Sequence, residues 1–253
     1  MAIGTIILRF ESVLSTNDAA RDLIRACAAH GTVVVAEEQT SGRGTKGRSW
    51  HSPRGLGLYA SFLLRWDASG GPGESFPLLP LVAGLAAADA VRDAAGVEAR
   101  LKWPNDLVHG RRKLGGILTE GVLRSGAPGH AVVGIGLNVN HGETDFPAEL
   151  RTAATSLRLI TGRPADIEDL LARLCQTLDN WYNSLIRGDR DGIIRAAEER
   201  MAFFRGSGIR IATARGELSG TYLGLAPDGR LRLERTGRPE SVPFEEILGL
   251  DWL

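Results

Sequence analysis

The sequence holds 27 arginines but only three lysines, Lys46, Lys102 and Lys113, and each lysine stands in a stretch marked by glycine or proline. Arginine serves here wherever a generic surface cation is enough. A retained lysine therefore points to a constrained position, where a compact ammonium and a planar guanidinium are not interchangeable. Around Lys46 the run is Gly42-Arg43-Gly44-Thr45-Lys46-Gly47-Arg48-Ser49-Trp50. Its glycines permit a close approach of main chain to a ligand. Free backbone N–H groups with Arg43, Lys46 and Arg48 make an anion site suited to a phosphate or a carboxylate. Trp50 offers a flat face to a ring. The spacing is neither that of a P-loop nor that of the dinucleotide fingerprint.

Two further segments add to this loop. Lys102-Trp103-Pro104-Asn105-Asp106 ends a strand on a proline and two polar side chains. Arg112-Lys113-Leu114-Gly115-Gly116-Ile117 sets a lysine before two glycines at the start of an apolar strand. Downstream, Gly134-Ile135-Gly136-Leu137-Asn138-Val139-Asn140 threads glycines and asparagines through a strand that reads as buried. Glycine inside a strand costs stability and often marks close ligand approach. Buried asparagines need partners. Together these segments read as one pocket on a sheet.

The elements that must hold this pocket follow from periodicity. Strands are expected over residues 3–10, 32–36, 56–66 and 131–138, with a short one over 100–103 stopped by Pro104. A hairpin over 107–122 turns at His109-Gly110-Arg111, and residues 67–73 form a turn. Helices are expected over 19–29, 76–95, 167–187 and 192–203. Ser15 and Asp18 have capping-box spacing ahead of the first helix, and Gly31 lies past its end. Pro77 and Pro80 fit only at or before the first turn of the second helix. The fold class is α+β, without a regular βα repeat. From Ile209 onward, short alternating strands with turns at Arg215-Gly216 and Asp228-Gly229 predict a small β-barrel. The chain is thus divided into domains 1–205 and 206–253.

The formal net charge is zero, which argues against an extended nucleic-acid surface. No stretch approaches the ~20 apolar residues of a membrane helix. There is no signal-peptide pattern, so a cytoplasmic protein is expected. Cys27 and Cys175 read as buried small hydrophobes. The five histidines lack metal-ligand spacing, and no protein-held metal is expected.

With Ser15-Thr16-Asn17 and the lead-in Ala36-Glu37-Glu38-Gln39-Thr40-Ser41, these segments resemble, in order and spacing, the catalytic domain of biotin protein ligases. The resemblance covers nearly the whole chain. It implies a mixed sheet with helices, like that of class II aminoacyl-tRNA synthetases, followed by an SH3-like barrel. It also implies two steps: biotin and ATP, with Mg²⁺ on the phosphates, give biotinyl-5′-AMP, and a lysine of a biotin carboxyl carrier domain of a carboxylase then takes the biotinyl group. Carried onto this sequence, Ser15, Thr16, Asn17 and Gln39 hold the biotin ureido end, with Gly42, Arg43, Gly44, Thr45 and Gly116 also against biotin. Lys113 sits between the biotin carboxylate and the α-phosphate. Arg48 meets the ATP phosphates, Trp50 the adenine, and Arg43, Asn105 and Asn138 the nucleotide. Asp106 faces the acceptor lysine.

Two departures stand out. Relatives commonly carry arginine where this chain has Thr45, so Lys46 is expected to take part of that arginine's role in retaining the adenylate. Some relatives begin with a DNA-binding domain, whereas about a dozen residues precede Ser15 here, so a monofunctional ligase without DNA binding is expected. Relatives include monomers and dimers, which admits a homodimer. The rival readings are a lipoate or octanoyl transferase, whose acyl-pocket motifs are not seen here, and a biotin sensor without catalysis, which only Thr45 favours.

Overall fold

The computed structural model describes residues 1–66, 76–122 and 129–252; the turn expected over residues 67–73 lies outside them. Seven strands form the first sheet: β1 (Ile7–Val13), β2 (Val33–Gln39), β3 (Gly57–Trp66), β4 (Arg100–Lys102), β5 (Asp106–His109), β6 (Arg112–Val122) and β7 (Gly129–Asn138). Their order is β1-β2-β3-β7-β6-β5-β4. β1 and β2 pair in parallel and the other neighbours are antiparallel, so the sheet is mixed.

Alternation along the strands sends successive side chains to opposite faces. Val33, Val35, Phe62, Leu64, Val133, Ile135 and Leu137 face the main core, beneath α2 (Leu79–Ala95) and α4 (Ile167–Ile186). α2 is apolar nearly all round, as a helix buried on most sides must be, and only Arg92 and Asp93 in its last turn are exposed. The other face carries Val34, Leu63 and Val132 against Ala20 and Ile24 of α1 (Thr16–Arg25). Farther along this face Ser61, Gly116, Gly134 and Gly136 leave room above the sheet, and the site lies there.

Several elements differ from their sequence reading. β1 starts at Ile7 because Gly4, at φ 88°, turns the chain and donates its N–H to Gly31 O at 2.9 Å. α1 starts at Thr16 and ends at Arg25, and no capping box forms. Ser15 is the N-cap residue, but its hydroxyl accepts no capping bond, and Asp18 turns instead to Arg43 and Arg21. The helix closes in a Schellman-type turn, with Ala28 N bonded to Leu23 O and Cys27 N to Ile24 O. That turn leaves Cys27 at φ 62° and exposed, unlike the buried Cys175. Pro77 lies in a 3-10 turn (Phe76–Leu78) ahead of α2, and Pro80 in the first turn of α2. A short α3 (Leu157–Thr161) was not anticipated. α5 (Arg190–Glu199) is shifted toward the N-terminus because Asp189 caps it, accepting from Gly192 N at 3.1 Å. The chain after α5 then pairs with β4: Leu101 N donates to Arg200 O and Ala202 N to Leu101 O.

The C-terminal region is a five-stranded antiparallel sheet: β8 (Gly208–Thr213), β9 (Gly216–Leu225), β10 (Leu231–Arg235), β11 (Arg238–Val242) and β12 (Ile247–Trp252), in the order β11-β10-β9-β8-β12. It is fastened to the segment before Asn105 and Asp106. Trp103 donates from Nε1 to Gly229 O at 3.0 Å and stacks on Phe244 at 4.8 Å. Lys102 Nζ lies 5.5 Å from the centroid of the Trp252 ring. Among the described residues, no helix is long and apolar enough to cross a membrane.

Candidate active site

Register explains the floor of the site. Ser61 of β3, Gly134 of β7 and Leu118 of β6 lie opposite one another, and so do Tyr59, Gly136 and Gly116. Opposed residues of antiparallel strands share a face. A Cβ on Gly134 would collide with Asn17 Oδ1, and one on Gly136 would come within 2.6 Å of the Trp50 indole. The strand glycines thus let two side chains lie flat on the sheet. Above them opens a cleft of about 240 Å³.

One end of the cleft is neutral and buried. Ser15, Thr16, Asn17 and Gln39 all line it. Gln39 Oε1 accepts from both Thr16 N (2.9 Å) and Thr16 Oγ1 (3.1 Å), while its Nε2 donates to Ser52 Oγ at 2.9 Å. Ser61 Oγ, wholly buried, lies 2.8 Å from Thr16 Oγ1 and 2.6 Å from Asn17 Oδ1. Ser15, which makes no side-chain capping bond, lines the cleft beside them.

The other end is cationic. Lys113 Nζ pairs with Asp106 Oδ1 at 2.5 Å and lies 5.3 Å from the centroid of the Trp50 ring. Trp50 Nε1 is buried without a hydrogen-bond partner among the described residues. Arg48 folds back on its own loop, with Nη2 donating to Thr45 Oγ1 at 3.2 Å and Nε to Thr45 O at 3.3 Å. Asn105 donates to Ile117 O at 2.9 Å. Asn138 donates to Thr155 O at 3.0 Å, which ties β7 to the chain beyond it. That chain forms a wall with Phe146, Leu150, Ala153 and Ala154. It also locks the start of β6: Lys113 N donates to Ala153 O, Thr155 N donates to Lys113 O, and Arg112 Nε donates to Ala154 O at 2.8 Å. Behind the wall His141 stacks on Phe146 at 4.8 Å. Burial, and then the nearby His51, push the His141 imidazole down to about 4.

A second cleft of about 340 Å³ runs between the two sheets. Lys46, Lys102 and Asp106 line it, with Phe244, Leu248 and Leu250 on the far side. Thr45, Arg48, Asn105 and Ile117 line both clefts. Lys113 lines the first cleft and Asp106 the second, and their ion pair joins them.

The residues picked out by sequence therefore fall into three places. Ser15, Thr16, Asn17, Gln39, Arg43, Gly44, Thr45, Arg48, Trp50, Asn105, Lys113, Gly116 and Asn138 line the first cleft. Lys46 and Asp106 line the second. Gly42 is buried and lines neither cleft; a Cβ there would come within 2.6 Å of Trp50 O and 2.7 Å of Ser52 Oγ. Sequence reasoning missed Tyr59, Ser61, His51 and the wall over residues 146–154. A serine inside an apolar strand was the one available sign of Ser61.

The chemistry offered is a neutral hydrogen-bonding head site, apolar sides at Leu118 and Leu150, and cations for an anionic tail. Such a cleft can hold two anions side by side and stabilise charge passing between them.

Comparison with known proteins agrees. A model of the biotin/lipoate A/B protein ligase family matches residues 10–138. The bifunctional ligase/repressor BirA of Bacillus subtilis is 34% identical over 232 residues, covering 92% of this chain and 70% of its own. The biotin–[acetyl-CoA-carboxylase] ligase of Mycobacterium tuberculosis is 30% identical, covering 96% of this chain and 89% of its own. The structure of a biotin protein ligase from Aquifex aeolicus in complex with biotin and ATP superposes with a TM-score of 0.84 at 28% identity, covering 98% of this chain and 100% of that one.

Proposed function

Because the chain belongs to the biotin/lipoate A/B protein ligase family and is an ATP-dependent biotin ligase, we propose that it makes biotinyl-5′-AMP and passes the biotinyl group to one lysine of a carboxylase's biotin carboxyl carrier domain. The observation that carries this is the contact of Lys113 with Asp106 where two clefts meet. In the first step a biotin carboxylate oxygen bonds to the α-phosphorus of ATP, and the bond to pyrophosphate breaks. Lys113 and Arg48 offset the charge crowded there; removing one such group typically costs about 10²–10³ in rate. In the second step the acceptor amine bonds to the acyl carbon, and the bond to AMP breaks. The amine must arrive neutral, and Asp106 lies on the open side to orient it and take its proton.

Asp106 changes partner in this scheme. At rest it neutralises Lys113. Once the substrate anions hold Lys113, Asp106 is released toward the second cleft, by which the acceptor lysine enters. Ser15, Thr16, Asn17 and Gln39 hold the ureido ring, with Gly44, Thr45 and Gly116 along the biotin body. Trp50 faces the adenine, and Asn105 and Asn138 frame the nucleotide. Mg²⁺ arrives as part of the MgATP substrate: the side chains at the phosphate end are cations, and Asp106 is already paired. On the same reading, residues 206–253 form a separate small domain and the protein works in the cytoplasm, where ATP and carboxylases meet.

Incubation of a carrier domain with the protein, biotin and MgATP, followed by mass spectrometry, tests the proposal. The expected result is a gain of one biotinyl group at one lysine. Biotin-dependent pyrophosphate exchange without any gain overturns the transfer step. A chain that adenylates lipoate in preference to biotin overturns the choice of acid.

A further inference from the structure

Four charged side chains close a ring beside the neutral end of the first cleft. Arg21 Nη1 lies 3.3 Å from Asp18 Oδ1, which lies 2.7 Å from Arg43 Nη2. Arg43 Nη2 lies 3.2 Å from Glu120 Oε2, and Glu120 Oε1 lies 2.7 Å from Arg21 Nη2. The signs alternate, so the ring is neutral as a whole. It joins three parts distant in sequence: α1, the glycine loop and β6. Arg43 lines the cleft, whereas Asp18, Arg21 and Glu120 stand behind the lining.

Glu120 has a second hold on the site. Its Oε2 accepts from Asn17 Nδ2 at 2.7 Å. A carboxylate can only accept, so this bond decides how the Asn17 amide is turned. Nδ2 is committed to Glu120. Oδ1 lies against Ser61 Oγ and the bare backbone of Gly134.

We propose that Glu120 is a positioning residue for biotin. Through Arg43 it keeps the glycine loop laid over the cleft before any ligand arrives, and through Asn17 it fixes a hydrogen-bond acceptor at the neutral end. The second half rests on the reading that biotin occupies this cleft. Glu120→Gln keeps the side-chain length but removes one of the two carboxylates that hold Arg21 and Arg43, leaving Asp18 alone on the pair. It also no longer dictates the orientation of Asn17.

Limited trypsin digestion of the ligand-free full chain, with fragments identified by mass, tests the first half. Glu120→Gln is expected to speed cleavage after Arg43, Lys46 and Arg48 about fivefold or more, since local opening sets the rate, with other sites unchanged. Titration calorimetry tests the second half: the biotin Kd should weaken about tenfold, as expected for loss of hydrogen bonds to a charged group, while kcat for pyrophosphate exchange stays within about twofold of the parent at saturating biotin. Loop cleavage within about twofold of the parent overturns the proposal. So does faster cleavage throughout the chain, which marks a general loss of stability. The digestion needs no biotin, so a parent protein that failed to bind biotin would sink the biotin reading and leave the loop result standing.

Discussion

The two ends of the first cleft are built on opposite plans. At the neutral end Thr16, Asn17, Gln39 and Ser61 are tied to one another by hydrogen bonds, and Thr16, Asn17 and Ser61 are almost wholly buried. Neutral polar groups can be kept dry at small cost when each has a partner, so this end is finished before its ligand arrives. At the cationic end Lys113 is held by Asp106, and Arg48 by Thr45. Charges in a partly closed site need partners, and until substrate arrives Lys113 has a carboxylate and Arg48 a hydroxyl and a carbonyl oxygen. Binding at one end adds contacts; at the other it exchanges them.

Variants can break this contrast, in order of expected size. Lys113→Ala should lower kcat of biotin-dependent pyrophosphate exchange about 10³-fold, roughly 4 kcal/mol of barrier, while the biotin Kd changes by less than about fivefold. A loss confined to biotin binding would assign Lys113 to the wrong plan. Asp106→Asn should cost about 10²-fold in transfer to the carrier and leave adenylation within about threefold, because only the second step uses the released carboxylate; equal losses in both steps would end the partner-exchange scheme. Gly134→Ala and Gly136→Ala should divide the ends, each by about tenfold or more for overpacking against a fixed neighbour. The first pushes Asn17 and raises KM for biotin, whereas the second lifts Trp50 and raises KM for ATP. The same KM rising in both would mean that the ends are not separate. Lys46→Ala is the smallest: a few-fold faster release of free biotinyl-adenylate, as a surface charge next to the site allows, with no increase counting against a retaining role.

The sequence made the cationic end more legible than the neutral one. Glycine, proline and scarce lysine are local signals, and residues 42–50, 102–106 and 112–117 could be read from spacing alone. The neutral end depends on register. Ser61 matters because it lies opposite Gly134 beneath Asn17, and no neighbour in sequence announces that. Glu120 reads as an ordinary polar strand residue until Arg21 and Arg43 are brought beside it. The wall at Phe146 and Leu150 has no periodicity to detect. Ser15 and Asp18 have the spacing of a capping pair, but a distant arginine competes with the local pattern, and in the fold Asp18 goes to Arg43. Composition groups Lys46 with Lys113, whereas in the fold Lys46, at φ 59°, lines the adjoining cleft.

The scarcity of lysine gives the molecule a built-in reporter. An amine-reactive acetylating reagent finds three side-chain amines in the whole chain, beside the terminal amine. Lys113 lies in the first cleft, and Lys46 and Lys102 lie along the second. A few added acetyl masses, counted in the intact protein and assigned by peptide, would therefore report the occupancy of each cleft separately, with no inserted label and almost no background from the rest of the surface.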